Sequence, residues 1–302
     1  MKPLSNQALR LLEGLSQEGE EKVRSFLLQD YAGLPTSSDA EEKARRYFAQ
    51  TSTISAAVMA DPGSFVVTEL LYDSENHSKI NSIIDNYFWE SMAGKAVKAR
   101  LDAIIEKLST IIDSYLQKQD SVNILNLGSG PGRDIINILS AHPESSRIRA
   151  ICIDKNETAL QEGRSRAQKE GVDHLIQFVN GNFLKRGTVA QSDFDIVLLI
   201  GILCPLDAKT CVTLLRLIKR FLKKQGCVVA SSASKTMLAK DPFTCYVMKK
   251  MGSWRLNFKD KKEMQKIFEG AGYIWQGYFT DEYNFHIMGI GKPQRQRLKT
   301  PT

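Results

Sequence analysis

Asn123-Ile-Leu-Asn-Leu-Gly-Ser-Gly-Pro-Gly132 is the stretch whose reading decides the fold. A short apolar run, Val122 to Leu127, breaks into a turn with glycine at 128, 130 and 132, and a helical pattern from Arg133 to Ala141 follows at once. Glycine lets the backbone bend sharply and pass close to a ligand, and the first turn of the next helix offers amide N–H groups with no intrahelical partner. An anionic group is therefore welcome at this junction. The spacing also discriminates between ligands. A dinucleotide fingerprint, Gly-x-Gly-x-x-Gly, requires glycine at 133, where this chain has Arg133. Taken alone, a glycine turn can also be purely structural.

Outward from this turn, short apolar runs alternate with helical stretches, the pattern of a parallel sheet with crossover helices. The strands read as Val122–Leu127, Ile148–Ile153, Ile176–Asn180, Phe194–Leu199 and Cys227–Ser231, and the helices as Arg133–Ala141, Glu157–Glu170, Ala208–Lys224 and Lys261–Ala271. Two final strands, Ile274–Phe279 and Asn284–Gly289, flank the tight segment Thr280-Asp-Glu-Tyr283 and pair as an antiparallel hairpin. The fold class expected is α/β: a seven-stranded, mostly parallel sheet with an antiparallel C-terminal hairpin. Before Ser121 the chain has almost no strand signal. Its clearest helix runs from Met92 to Leu116, with Val97, Leu101, Ile104, Leu108, Ile111 and Tyr115 on one face. Loops are expected at Gly33–Asp39 and at Asp61-Pro-Gly63. The division expected is an all-helical cap or substrate domain (1–120), a cofactor-binding domain (121–292) and a basic tail (293–302), with fraying from Gly291 onward.

Three positions add chemistry to the turn. Asp154 closes the second strand about 20 residues after the glycines, where a carboxylate can accept hydrogen bonds from two ribose hydroxyls. Its alternative role is as N-cap of the helix beginning near Glu157. Asn180-Gly-Asn182-Phe183 offers an amide and an aromatic ring at the end of the third strand, or else a simple turn. Asp134 reads as a first-turn carboxylate favoured by the helix dipole.

Together, Asn126-Leu-Gly-Ser-Gly-Pro-Gly132, Ile151-Cys-Ile-Asp154 and Gly181-Asn182-Phe183 resemble the motifs of class I methyltransferases, which use S-adenosylmethionine (SAM) and release S-adenosylhomocysteine (SAH). The resemblance covers about Ser121 to Gly291. It implies that Gly128, Ser129, Gly130 and Gly132 hold the methionine portion of SAM, that Asp154, with Lys155 beside it, holds the ribose, and that Asn182 and Phe183 hold the adenine. Ile200-Gly-Ile-Leu-Cys-Pro205, which includes Gly201, stands where the family faces the transferred methyl group. The chain departs from the pattern twice: Asn126 replaces an acidic residue often seen there, and Asn182 replaces a common aspartate. Either amide can still donate or accept a hydrogen bond. There is no Asn-Pro-Pro-Tyr signature and no acidic set for a magnesium-dependent enzyme, so no metal is expected.

Methyl transfer asks mainly for alignment, and for a base only where the acceptor must lose a proton. The four histidines are His77, His142, His174 and His286; His286, in the last hairpin, and His77 are the candidates, and an ordinary structural role is the alternative for each. Tyr87, Lys95 and Arg100 form an aromatic and cationic cluster ahead of the sheet, where Tyr87 can meet the cofactor and Lys95 and Arg100 are cations that can meet its carboxylate. The segment Ser234–Phe258, with Phe243, Tyr246, Met248, Met251 and Trp254, is either a cap over a hydrophobic substrate or a packing insertion.

The bulk properties narrow the class. At 302 residues, 42% hydrophobic and 25% charged, the chain is an ordinary globular protein. Its start lacks a signal-peptide apolar core, and its longest apolar run, Ile196–Cys204, falls far short of the roughly 18 residues of a membrane span. No membrane association and a cytoplasmic location are expected. Five cysteines without a Cys-x-x-Cys pair signal neither zinc nor disulfides. The net charge of +7 resides mainly in short clusters, Lys219–Lys224 and Lys259–Lys266, read as solvated helix faces. The expected partner is a small-molecule methyl acceptor; nucleic acid finds no recognisable motif. An RNA or protein methyltransferase and a non-catalytic cofactor-binding scaffold remain the alternatives.

Overall fold

The central strands are rich in aliphatic residues, Val122-Asn-Ile-Leu-Asn-Leu127 and Phe194-Asp-Ile-Val-Leu-Leu199, as strands buried on both faces require. In the computed structural model, which describes residues 45–46, 48–72, 82–250 and 252–294, β1 (Val122–Leu127), β2 (Ile148–Asp154), β3 (Ile176–Asn180), β4 (Phe194–Leu199), β5 (Leu222–Ala233), β6 (Tyr273–Thr280) and β7 (His286–Pro293) form one sheet. The strand order is β3-β2-β1-β4-β5-β7-β6. The first five strands are parallel, and β7 runs antiparallel to both β5 and β6. The order reverses between β1 and β4, and in open α/β sheets ligands bind beyond the carboxyl ends of the strands at such a reversal. Asn126 pairs with Cys152 on one side and Leu198 on the other, which brings those ends level.

Side chains alternate between two cores. Ile124, Ile196, Leu198 and Val229 point to one face, against Ile104, Leu108 and Ile112 of α4 (Met92–Leu116) and the isoleucines of α5 (Arg133–Ala141). Leu125, Val197, Leu199 and Val228 point to the other, against α7 (Ala208–Ile218) and α10 (Lys261–Gly270). The helix α6 (Glu157–Lys169) lies between β2 and β3 in sequence. Each fully buried aliphatic side chain contributes about 1.5–3 kcal/mol, so the sheet is held from both faces by burial rather than by any one contact.

Three sequence expectations shift. The helix expected to run to Lys224 stops at Ile218; Lys219–Phe221 form a single 3₁₀ turn and β5 begins at Leu222, not Cys227. Phe221 and Leu222 are buried in the second core and Leu222 pairs with Phe194, and this tertiary pull overrides the helical look of the basic run. The last strand begins at His286 rather than Asn284, because Asn284 takes a left-handed conformation (φ 60°) in the turn. It also continues to Pro293: Gly291 pairs with Val228 and Trp275, and Lys292 with Ile274, so fraying does not begin at Gly291.

The chain falls into two compact units, with boundaries at Ala99/Arg100, Lys235/Thr236 and Leu256/Asn257. The sheet unit comprises Arg100–Lys235 and the described residues from Asn257. The helical unit contains α1 (Thr53–Ala60), α2 (Phe65–Tyr72), α3 (Ile83–Glu90), the start of α4, most of α8 (Lys235–Lys240) and α9 (Pro242–Lys250). Its core joins Phe48, Ile54, Leu71 and Phe88 to Phe243, Tyr246 and Val247, so Phe243 and Tyr246 of the 234–258 excursion pack into a helical core. Buried Asp85 accepts hydrogen bonds from the Ser52 hydroxyl and the Thr53 and Ile54 amides, tying α3 to the start of α1. Gly33–Asp39, His77 and Met251 lie outside the described residues.

Candidate cofactor site

The glycine turn is built by its own backbone. Gly128, Gly130 and Gly132 have φ of 65°, 54° and 70°, conformations that suit glycine. The Gly128 and Ser129 amides both donate to the Ile153 carbonyl (2.8 and 3.1 Å), latching the turn to the end of β2. The Gly130 amide donates to Oδ2 of Asp154 (2.8 Å), and the Asn156 amide donates to Oδ1 (2.9 Å). Asp154 is not the N-cap of α6; Asn156 is, accepting from the Ala159 amide at 3.2 Å. The half-buried carboxylate of Asp154 is thus fixed against the glycine turn and keeps lone pairs for further donors. A Cβ at Gly128 would lie 2.4 Å from Cδ1 of Ile202, so the Ile202 side chain already fills that side of the turn.

Beneath the turn, Asn126 and Asp134 form a pair. The Asn126 amide donates to Oδ1 of buried Asp134 (3.0 Å), which also accepts from the Ile135 amide (2.9 Å). The amide at 126 is therefore matched by a carboxylate at 134, a partnership that the first-turn reading of Asp134 lacked. Burial pushes the Asp134 carboxyl up to about 6, against the opposing pull of the Ile135 amide and the Arg100 guanidinium. Arg100 is itself buried and acts electrostatically on Asp134, Cys204 and His286.

On the other side of the β1/β4 reversal, the loop after β4 is held from outside. Gly201 (φ 81°) donates its amide to Oγ of buried Ser231 (2.7 Å). The Lys259 ammonium, buried, donates to the carbonyls of Leu203 (3.0 Å), Leu206 (2.9 Å) and Asn257 (2.8 Å) and reaches Oγ of Ser232 at 3.3 Å. Asn257 donates its amide to the Cys204 carbonyl (2.7 Å) and its side-chain amide to the Pro205 carbonyl (2.6 Å). Every carbonyl from Leu203 to Leu206 is thereby engaged. Desolvation lowers the Lys259 ammonium from its ordinary value, and these oxygens are its compensation. Ile200 packs against the first core.

The remaining sequence candidates separate. Oδ1 of Asn182 accepts from the Leu184 amide (2.9 Å) in the turn after β3, and Phe183 packs against the second core. Lys155 is exposed, its carbonyl accepting from the Asn180 side chain (3.2 Å). In the helical unit, Tyr87 packs edge-on to Phe88 and Phe243, with ring centroids 5.4 and 5.6 Å apart, and Lys95 pairs with Glu90 (2.9 Å). His142 bridges Asp113 (3.2 Å) and the Glu144 amide (3.1 Å), a local structural role, and His174 is exposed. His286 is buried, with Nδ1 3.1 Å from Oδ2 of Asp281. The sequence reading missed Asp281, Asn257, Lys259 and Ser231. Lys259 stands at the head of a basic run that looks like a helix face, and only Asp281, inside the Thr-Asp-Glu-Tyr turn, carried a local signal. Among the described residues no group of three or more His, Cys, Asp or Glu could hold a metal ion, and no helix is long and apolar enough to cross a membrane.

Comparison with known proteins places this arrangement. The chain is similar in fold to a Bordetella parapertussis protein described as a possible exported protein, with 17% identity over 95% of this chain and 97% of that one and a TM-score of 0.71. It is also similar to magnesium protoporphyrin IX methyltransferase from Synechocystis with bound SAH, with 12% identity over 77% and 100% of the two chains and a TM-score of 0.53. The same Synechocystis protein with bound SAM gives 10% identity over 77% and 97%, with a TM-score of 0.51. No curated protein matched the sequence. The family model for a methyltransferase domain matches residues 118–272, just over half of the chain, and the chain belongs to that family.

Proposed function

We propose that this protein transfers a methyl group from SAM to a small organic acceptor. The observation that carries the reading is the bond from the Gly130 amide to Asp154: it makes the glycine turn and the ribose-binding carboxylate one unit at the β1/β4 reversal. A fit to the cofactor is supported by the positive φ angles at Gly128, Gly130 and Gly132, which let the backbone approach a ligand closely, and by a buried guanidinium, Arg100, in the same sheet unit. In this reading Gly128, Ser129, Gly130 and Gly132 hold the methionine portion, Asp154 and Lys155 the ribose, and Asn182 and Phe183 the adenine. Arg100 meets the carboxylate, Ile200 and Gly201 face the methyl group, and Tyr87 remains a cofactor candidate. SAM supplies an activated methyl sulfonium; the protein's part is to bind it, orient it and align the acceptor in line with the methyl group. The division into a helical substrate domain (1–120), a cofactor-binding domain (121–292) and a basic tail (293–302) belongs to the same proposal.

Titration calorimetry of variants with SAH tests the assignment. Asp154→Ala is expected to weaken SAH about 100-fold, the loss of two charge-assisted hydrogen bonds at about 1.5 kcal/mol each. Arg100→Ala is expected to weaken it about tenfold or more. Unchanged affinity in Asp154→Ala would remove the ribose assignment, and unchanged affinity in Arg100→Ala would remove the carboxylate contact. A small acceptor further implies that turnover stays insensitive to added RNA.

A further inference from the structure

We infer that His286, oriented by Asp281, is the general base of the reaction and that the methyl acceptor is a hydroxyl group; the inference rests on the SAM reading above. His286 is the first residue of β7 and stands opposite Ala233, the last residue of β5, at the carboxyl edge of the parallel strands. The imidazole is buried, and so is the Asp281 carboxylate that receives its Nδ1 at 3.1 Å. Asp281 also accepts from the backbone amides of Tyr283 (2.9 Å), Phe285 (3.3 Å) and His286, which fixes the carboxylate in one place. Those amides account for an aspartate in the turn. They do not account for a buried imidazole, whose desolvation an apolar residue at 286 would avoid.

With Nδ1–H donating to Asp281, the ring is set in the tautomer whose lone pair is on Nε2. The charged groups acting on it are Asp281, from the β6–β7 turn, and Arg100, from α4. Burial lowers the imidazole below its ordinary value and Arg100 lowers it further, against the pull of Asp281. The ring is therefore a neutral proton acceptor at pH 7. Burial alone would raise Asp281, but the hydrogen bonds it accepts from the His286 ring and from the His286 and Phe285 amides favour the carboxylate, so it remains ionised and stabilises the imidazolium that forms. Arg100 also acts on Asp134 beneath the glycine turn and on Cys204 in the loop after β4, which connects the pair to the groups around the proposed methyl position.

The acceptor follows from the chemistry. A carboxylate, a tertiary amine or a thioether attacks a methyl sulfonium without losing a proton, whereas an alcohol, enol, phenol or thiol must lose one; a thiol, at about 8.5, is already partly ionised near pH 7, so the hydroxyl is the acceptor that depends on a base. In the balanced step the acceptor oxygen forms its bond to the methyl carbon, the methyl–sulfur bond breaks with its electron pair left on a neutral thioether sulfur, and the hydroxyl proton passes to Nε2 of His286. The imidazolium then returns that proton to solvent.

The test uses the full chain, wild type beside His286→Gln and Asp281→Asn, with three readouts. Nitrogen-15 NMR of the histidine side chains is expected to show His286 as the neutral, Nδ1-protonated tautomer at pH 7, with that tautomeric preference weakened in Asp281→Asn. A panel of phenols, enols and alcohols set against tertiary amines, thioethers and carboxylates, read by SAH release, is expected to give turnover with hydroxyl compounds. His286→Gln is expected to lower that turnover about 100-fold or more and to flatten its rise with pH. SAH affinity of His286→Gln by calorimetry is expected to stay within about twofold, which separates a base from a structural residue. A protonated or Nε2–H imidazole at pH 7, turnover retained in His286→Gln, or SAH release from the other acceptors alone would overturn the inference. So would the absence of turnover with every hydroxyl compound while SAH binds. Failure of the wild type to bind SAH would instead reject the cofactor reading, and the NMR readout would still judge the pair.

Discussion

On the β1–β2 side of the sheet, the glycine turn takes its shape from positive φ angles and short backbone bonds to Ile153, fastened by the nearby side chains of Asp154 and Ser129. On the β4–β5 side, the loop from Gly201 to Leu206 takes its shape from side chains remote in sequence: Ser231, Asn257 and Lys259. The first side is local, and a change in it also disturbs the fit of its ligand. The second is a buried polar network in which one residue satisfies several carbonyls, so its loss leaves several groups unpaired together. Breaking the second side should therefore cost stability alone, and breaking the first should cost cofactor affinity as well.

Lys259→Met is expected to have the largest effect. It removes the donor to three carbonyls and Ser232, and each buried group left unsatisfied costs about 1–3 kcal/mol. A loss of about 4 kcal/mol, read as a drop in Tm of roughly 10 °C, is expected, with SAH affinity changed by less than about threefold. A variant that keeps its Tm would show that the loop does not depend on this ammonium.

Asp134→Asn should alter pH dependence more than stability at any one pH. The folded value of about 6 lies above the ordinary 3.8, so the native state binds the proton more tightly. That contribution is fully present below about pH 4 and is lost as pH rises through 6; it amounts to about 3 kcal/mol. Urea unfolding at pH 4 and pH 7 should show the wild type losing about this much relative to the variant. Parallel curves would contradict the burial assigned to this carboxyl.

Gly128→Ala differs from Lys259→Met in reaching the ligand as well as the fold. A side chain at φ 65° is strained, and its Cβ meets Ile202. About 2 kcal/mol of stability and at least about tenfold of SAH affinity should be lost, measured by urea unfolding and calorimetry. Asn257→Ala, on the exposed flank of the network, should cost only about 0.5–1 kcal/mol. Equal losses in Asn257→Ala and Lys259→Met would mean that the burial of the ammonium is not what sets its importance.

The same contrast explains what could be read in the sequence. The strands β1, β3 and β4 and the helices α4 and α5 coincide with their apolar patterns, because burial on one or both faces leaves an unambiguous period. The glycine turn and Asp154 are visible because their geometry is encoded within a few residues of the site. Asp154 and Asn156 divide the work that the sequence left ambiguous, one bonding to the glycine turn and the other capping the helix. The start of β5 was hidden because Lys219–Lys224 has the composition of a helix face, and only pairing of Leu222 with Phe194 decides otherwise. Lys259 was hidden for a related reason: a lysine at the head of a basic run looks solvated until the fold brings the Leu203 and Leu206 carbonyls to it. His286 was visible as a residue, but its partner Asp281 becomes one only when the hairpin closes.

Calorimetric titration of the wild-type chain with SAH, run beside NAD, bears most directly on the claim that the β1/β4 crevice is a SAM site. Saturable one-to-one binding of SAH with no response to NAD is the expected result. Heat from NAD alone, or from neither compound, would contradict it.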